Sequence, residues 1–287
     1  MLIFYGFIIF CVLFLLYMYL ENFNLQVTNY TISSKGIPNG FDDVRFVVLA
    51  DLHNNSFGRD NERLIHEINN AHPKFIVIAG DLIIGKEHCD YSVALSLLNR
   101  LSKQYSIYYG FGNHEQRIMA GGDHYDQNFT DYIHKLKDMG VHILNNETYT
   151  IYRKEDRIKI TSVVIGNEFF GKFKKADMET GYLQNLVGIP DNKCYNILIA
   201  HNPIYFKSYM KWGADLVLSG HLHGGIVRLP GFGGVISPQY ELFPKYDAGE
   251  YHENGQTMLV SRGLGTHTIK LRAFNRPELM VVTLKRP

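Results

Sequence analysis

Hydrophobic and polar positions divide the chain into three stretches. Residues 2–20 carry no charge, are rich in Phe, Ile, Leu and Tyr, and stop at Glu21. At about 1.5 Å per helical residue such a run reaches roughly 28 Å, close to the ~30 Å hydrocarbon core of a bilayer. It has no basic start, short apolar region or small-residue cleavage site of the kind a removable signal carries. The expectation is a single-pass N-terminal transmembrane anchor over residues 1–21, with a buried core helix as the alternative. The near flanks, with only Glu21 and a distant Lys35, leave open which side of the membrane the rest occupies. Residues 22–43 are polar, broken by Gly36, Pro38 and Gly40, and read as a linker.

From residue 44 to 287 the pattern alternates between short apolar runs and amphipathic stretches. Residues 45–50 predict a buried strand, 61–71 a helix with Leu64, Ile65 and Ile68 on one face, and 75–79 a second strand. Residues 93–103 predict a helix and 106–109 a strand. This recurrence of strand, loop, helix and strand is the α/β signature, in which sites form beyond the carboxyl ends of neighbouring strands. The second half reads as richer in β structure. Residues 148–152 and 158–165 predict a hairpin, 195–199 and 216–219 further strands, and 257–260 and 279–284 the strands that close the sheet. Residues 224–255, full of Gly, Pro and aromatic side chains, predict an ordered loop or lid. The aromatic side chains of Tyr240, Phe243, Tyr246 and Tyr251 in this region read as core rather than as a groove.

Composition narrows the partners. Twenty-nine Lys and Arg against 28 Asp and Glu give a formal charge of +1, so no global field points to nucleic acid. No protein partner is indicated either. Cys11, Cys89 and Cys194 are odd in number and widely spaced, which excludes a disulfide framework and matches no zinc spacing.

The chemistry-bearing residues gather at the predicted strand ends. Asp51-Leu52-His53 follows the first strand, and on an extended segment its two donors point to the same side. Asp81 follows Gly80 after the second. Asn113 and His114 follow Gly112, where the amide oxygen suits a metal and the adjacent imidazole is left to act on substrate. His201 follows an apolar strand, and His221 and His223 converge from Gly220-His221-Leu222-His223. Each fragment alone is as compatible with an ordinary turn. Together, carboxylate, amide and imidazole donors without a thiolate describe a catalytic centre for hard or borderline divalent ions rather than a closed zinc knot.

These five blocks, Asp-x-His, Gly-Asp, Gly-Asn-His-Glu, His and Gly-His-x-His, resemble the calcineurin-like metallophosphoesterases. The likeness is nearest to the membrane-associated YkuE/YaeI-type bacterial branch. Residues 224–230, 242–246, 261–265 and 274–278 add to it, whereas Ala50 and Ile226-Val227 depart from it without removing a ligand. The resemblance implies a four-layer αββα sandwich of two mixed sheets flanked by helices, with two divalent ions (Mn, Fe, Zn, Co or Ni) at their carboxyl edge. It implies Asp51, His53, Asp81 and His223 around one ion and Asp81, Asn113, His201 and His221 around the other. Asp81 would bridge, and His114 would be the outer acid or charge stabiliser. A metal-bridging hydroxide would attack phosphorus in a monoester, diester or pyrophosphate. Arg228 and Arg262 are candidate phosphate contacts, and Glu115 reads as a hydrogen-bonding support rather than a ligand. The anchor adds the expectation of a lipid-linked or cell-envelope substrate. A metallo-β-lactamase-like enzyme would need a His-x-His-x-Asp-His block, which Gly224 and Gly225 interrupt. The remaining rival is a catalytically silent metal-binding scaffold of the same fold.

Overall fold

The computed structural model describes all residues except 87–88, 122–126, 172–175, 230, 238–240 and 267–269, and the side chains of Leu2 and Gln127. Tyr240 lies outside the described residues.

The strands owe their burial to near-continuous apolar runs, as expected of parallel strands covered on both faces. In β2 (Arg45–Leu49) successive side chains alternate between two cores. Phe46 and Val48 face the second sheet, and Val47 and Leu49 face the helices. β8 (Tyr195–Ala200) does the same, with Ile197 and Ile199 between the sheets and Leu198 and Ala200 towards the opposite helices. A six-stranded sheet runs β1 (Gln26–Ser33), β14 (Glu278–Lys285), β2, β3 (Phe75–Ala79), β4 (Ser106–Gly110) and β5 (His142–Leu144). A second runs β12 (Gly249–Glu253), β13 (Gln256–Val260), β9 (Leu216–Ser219), β8, β7 (Asp156–Val163) and β6 (Thr148–Arg153).

Helices α2 (Glu62–Asn70), α3 (Ser92–Leu101) and α5 (Gln127–Asp138) cover the first sheet. Helices α6 (Tyr182–Val187) and α7 (Phe206–Trp212) cover the second. The result is the expected αββα sandwich of two mixed sheets. Strands β2 to β5 are mutually parallel, as are β7, β8, β9 and β13. Loops after β2, β3, β4, β8 and β9 therefore collect at the carboxyl edge.

Four readings change. Residues 22–43 are not simply a linker: β1 pairs in parallel with β14, and Ile32, Ile37 and Phe41 are buried. As an edge strand, β1 exposes the polar face that makes this stretch read as a connector. β13 and β14 belong to different sheets rather than closing one. Residues 224–255 contain β10 (Arg228–Leu229), antiparallel β11 (Gly233–Gly234) and the edge strand β12, whose Gly-Glu-Tyr-His-Glu sequence carries no apolar alternation. Asn113 opens a short helix, α4 (Asn113–Met119), where the sequence reading placed no element.

At the amino terminus α1 (Leu2–Glu21) is long and apolar enough to cross a membrane, and little of it is buried. Only its last turns touch the domain. Met18 and Glu21 are buried, and Asn22 donates to Lys270 O at 3.0 Å.

Candidate metal centre

The loops after β2, β3 and β9 deliver their donors through a backbone form that L-residues seldom adopt. Asp51, His53, Asp81, His221 and His223 all have φ between 46° and 71°. Such strain concentrates where function requires it. Asp51 and His53 therefore converge through a left-handed turn, not an extended segment. Gly80, with φ +90°, leaves room that a Cβ would take from His201 Nδ1 at 2.5 Å. A Cβ at Gly112 would collide with Asp81 Oδ1.

The turns bring the donors into one buried cluster. Asp51 Oδ1 lies 3.4 Å from His223 Nε2, 3.7 Å from His201 Nε2 and 3.8 Å from His53 Nε2. Asp81 Oδ2 lies 3.1 Å from His201 Nε2, 3.8 Å from His53 Nε2 and 3.9 Å from His114 Nε2. Potential ligand atoms fall into three sets, each within 4.8 Å: Asp51, His53 and His223; His53, Asp81 and His114; Asp81, His201 and His221.

Backbone carbonyls fix the imidazole tautomers. His53 Nδ1 contacts Ile83 O at 3.3 Å, His201 Nδ1 contacts Ala79 O at 2.7 Å, and His223 Nδ1 contacts Gly265 O at 3.0 Å. A carbonyl only accepts, so each Nδ1 carries a proton and Nε2 is the atom turned to the cluster, where a metal can displace any second proton. His114 is reversed: its Nδ1 accepts the Gly85 N–H at 2.7 Å, which places the proton on Nε2. Four equivalent-looking histidines thereby separate into three whose Nε2 is available to a metal and one whose Nε2 carries the fixed donor.

The charges also depend on burial. Burial pushes the Asp51 carboxyl up to about 7, with His201 opposing it. Burial raises Asp81 too, but His201, His114 and His53 outweigh it and hold the carboxyl well below the usual range. His201 resists burial and is raised to about 10 by Asp81 and Asp51.

A calcineurin-like phosphoesterase family model matches residues 44–225. The chain belongs to the calcineurin-like phosphoesterase family. It is similar to the metallophosphoesterase YkuE of Bacillus subtilis (strain 168), 30% identical over 93% of this chain and 88% of that protein. It is 24% identical to the phosphodiesterase YaeI of Escherichia coli (strain K12), over 84% of this chain and 82% of that one. A transmembrane protein with metallophosphoesterase domain from Danio rerio is 26% identical over 91% of this chain and 57% of its own length.

Calcineurin-like phosphoesterases are hydrolases that use a dinuclear divalent centre, and the residues here fit one. Asn113 Oδ1 is buried with no hydrogen-bond partner among the described residues. His53 Nε2 and His223 Nε2 stand 3.2 Å apart although both rings have directed their Nδ1 protons to carbonyls. A cation between them, or a further proton, reconciles two lone pairs at that distance.

Supporting residues hold the ligands from behind. Glu115, fully buried, accepts the Asp81 and Gly112 N–H groups at 2.9 Å, the Ile83 N–H at 3.4 Å and the Tyr109 hydroxyl at 2.7 Å. Burial and neighbouring Asp81 raise its carboxyl to about 7.

Sequence reasoning gave no role to Asn275 or Arg272. Asn275 Nδ2 donates to His223 O at 2.7 Å and Gly225 O at 2.5 Å. Buried Arg272 donates to Gly265 O at 2.8 Å and Gly263 O at 3.1 Å. Their distance along the chain from the ligands hides them, although the block 274–278 that contains Asn275 was a signal. Arg228 and Arg262 flank Gly224 just after His223, and each already pairs with a carboxylate. Arg228 Nη1 lies 2.9 Å from Asp247, and Arg262 Nη2 lies 3.2 Å from Glu278.

Proposed function

We propose that this phosphoesterase is a membrane-anchored di-metal phosphohydrolase. Asp51, His53, Asp81 and His223 hold one ion, Asp81, Asn113, His201 and His221 hold the other, and Asp81 is shared. The observation that carries this reading is the ring orientation: three imidazoles held at Nδ1 by backbone carbonyls turn Nε2 towards the same space as Asp51 Oδ1 and Asp81 Oδ2. When bound, the two ions supply Lewis acidity that activates water and neutralises phosphoryl charge.

The protein's own groups do the rest. The His114 N–H donates to Asp81 Oδ1 at 2.9 Å, and the His221 N–H to Asp51 at 3.0 Å, so both carboxylates are aimed before any ligand arrives. His114 Nε2–H is the proton donor to the departing alkoxide, or the hydrogen bond that steadies its charge. Arg228, the more exposed of the two arginines, contacts the substrate phosphate by sharing its guanidinium with Asp247. Arg262 is the second phosphate contact. The α1 span supports a single-pass anchor and a substrate carried by the membrane or cell envelope.

The test is metal analysis of the purified full chain in detergent, with hydrolysis of aryl phosphate mono- and diesters in added manganese. Bound metal and manganese-dependent hydrolysis, both lost in Asp81→Ala, are expected. No metal and no hydrolysis after reconstitution would sink the reading.

A further inference from the structure

We propose that residues 226–229, 231–237 and 241–243 form an apolar finger that enters the interface of the same bilayer as α1, giving the domain a second membrane contact beside its metal centre. The proposal rests on the anchored reading of α1. It starts from where exposed apolar side chains fall. Of the eight large apolar side chains exposed after α1 among the described residues, Leu229, Phe232, Leu242 and Phe243 lie on this finger, and Phe274 lies on the segment it leans against. Phe232 is 77% exposed. Soluble surfaces scatter such residues, and a cluster of this kind marks an interaction site.

The finger is built as a layered hairpin rather than a loose loop. The Val235 N–H donates to Val227 O at 2.9 Å, and the Phe243 N–H to Val235 O at 2.9 Å. Its inner strand bonds to the segment that receives α1. The Arg228 N–H donates to Ala273 O at 3.0 Å, and the Ala273 N–H to Ile226 O at 3.1 Å. One residue away, the Arg272 N–H donates to Met18 O at 3.0 Å, and the Phe274 ring stands 5.7 Å from Tyr17. The finger is thus one strand removed from the last turns of α1, and with α1 across a bilayer those turns stand at the headgroup boundary that aromatic side chains prefer. Its only charged residues are Arg228 and Glu241, and Arg228 is neutralised by Asp247. An uncharged tip with aromatic and aliphatic side chains suits the headgroup–acyl boundary.

The occupant is therefore the bilayer that holds α1. The consequence reaches the site, because the finger leaves directly from Gly224 and Gly225 after His223, and Asn275 ties the carbonyls of His223 and Gly225 to the same receiving segment. A metal centre fixed to a surface embedded at headgroup depth favours a phosphate ester whose alcohol is a lipid.

The test uses the full chain in liposomes with Trp212→Phe, which removes the single native tryptophan, followed by Phe232→Trp, Leu13→Trp or Tyr152→Trp. Tyr152 is exposed on β6, the outer strand of the second sheet. Emission is compared between brominated and unbrominated phosphatidylcholine. Quenching at positions 13 and 232 but not 152 is expected. Quenching at 13 alone overturns the finger and leaves the anchor standing. No quenching at 13 removes the anchor and the finger with it. A blue-shifted tryptophan at 232 that bromine does not quench assigns the finger to a protein surface, such as a second copy, and overturns the proposal.

Discussion

Removing the Glu115 carboxylate separates the scaffold beneath the metal centre from the ligands themselves. In Glu115→Ala the N–H groups of Asp81 and Gly112 and the Tyr109 hydroxyl lose an acceptor 2.7–2.9 Å away in a fully buried position. Each buried donor left unmade costs about 1–3 kcal/mol, so the three together give roughly 3–9 kcal/mol. Part of this is offset because the buried carboxylate is itself unfavourable, as its rise to about 7 indicates. The expected net loss is about 4 kcal/mol. Glu115→Gln keeps one acceptor oxygen and should lose only about 1–2 kcal/mol. Urea unfolding of the metal-stripped chain in detergent measures both losses, and elemental analysis of the reloaded protein reports occupancy. The alanine variant should also bind metal poorly, because the Asp81 backbone is no longer pinned. An alanine variant within about 1 kcal/mol of the parent and fully loaded would refute the reasoning.

Three further outcomes follow from the same geometry. His114→Ala should slow turnover by about 10²–10⁴ while both metals remain, since its Nε2 presents a proton rather than a lone pair; loss of metal by elemental analysis would contradict that role. Asn275→Ala should weaken metal affinity by about 10–100-fold in chelator competition without loss of fold, because it positions the His223 loop. In the metal-free protein His201 is raised to about 10, so the stability it contributes is complete below its ordinary value and fades as pH rises towards 10. Thermal unfolding in chelator should therefore show falling stability across pH 7–10, a decline that bound metal suppresses, and a rise across that window would count against the His201 pairing.

Much of the site is legible in the sequence because ligand chemistry is carried by residue type at strand ends. Asp51, Asp81, Asn113, His201, His221 and His223 all follow apolar runs that are strands in the structure. What the runs do not reveal is backbone hand: nothing in Asp51-Leu52-His53 announces two left-handed residues. The separate role of His114 was legible, but the ring orientations behind it were hidden, because they are set by partners such as Gly85 and Gly265 that are distant along the chain. Edge strands were the weakest part of the fold reading. β1 and β12 meet solvent on one side, and their mixed polarity matches that of connectors.

The pairing of β1 with β14 sets a timetable for the chain's birth. The first strand after α1 has no partner until Glu278–Lys285 have been made. At about 5–20 residues per second, the ~250 intervening residues take roughly 10–50 s to make. Through that interval the loops carrying Asp51 and Asp81, which follow β2 and β3, belong to an open first sheet. Assembly of the centre is thus a post-synthetic event, and a chain cut short before Glu278 has no route to a closed first sheet.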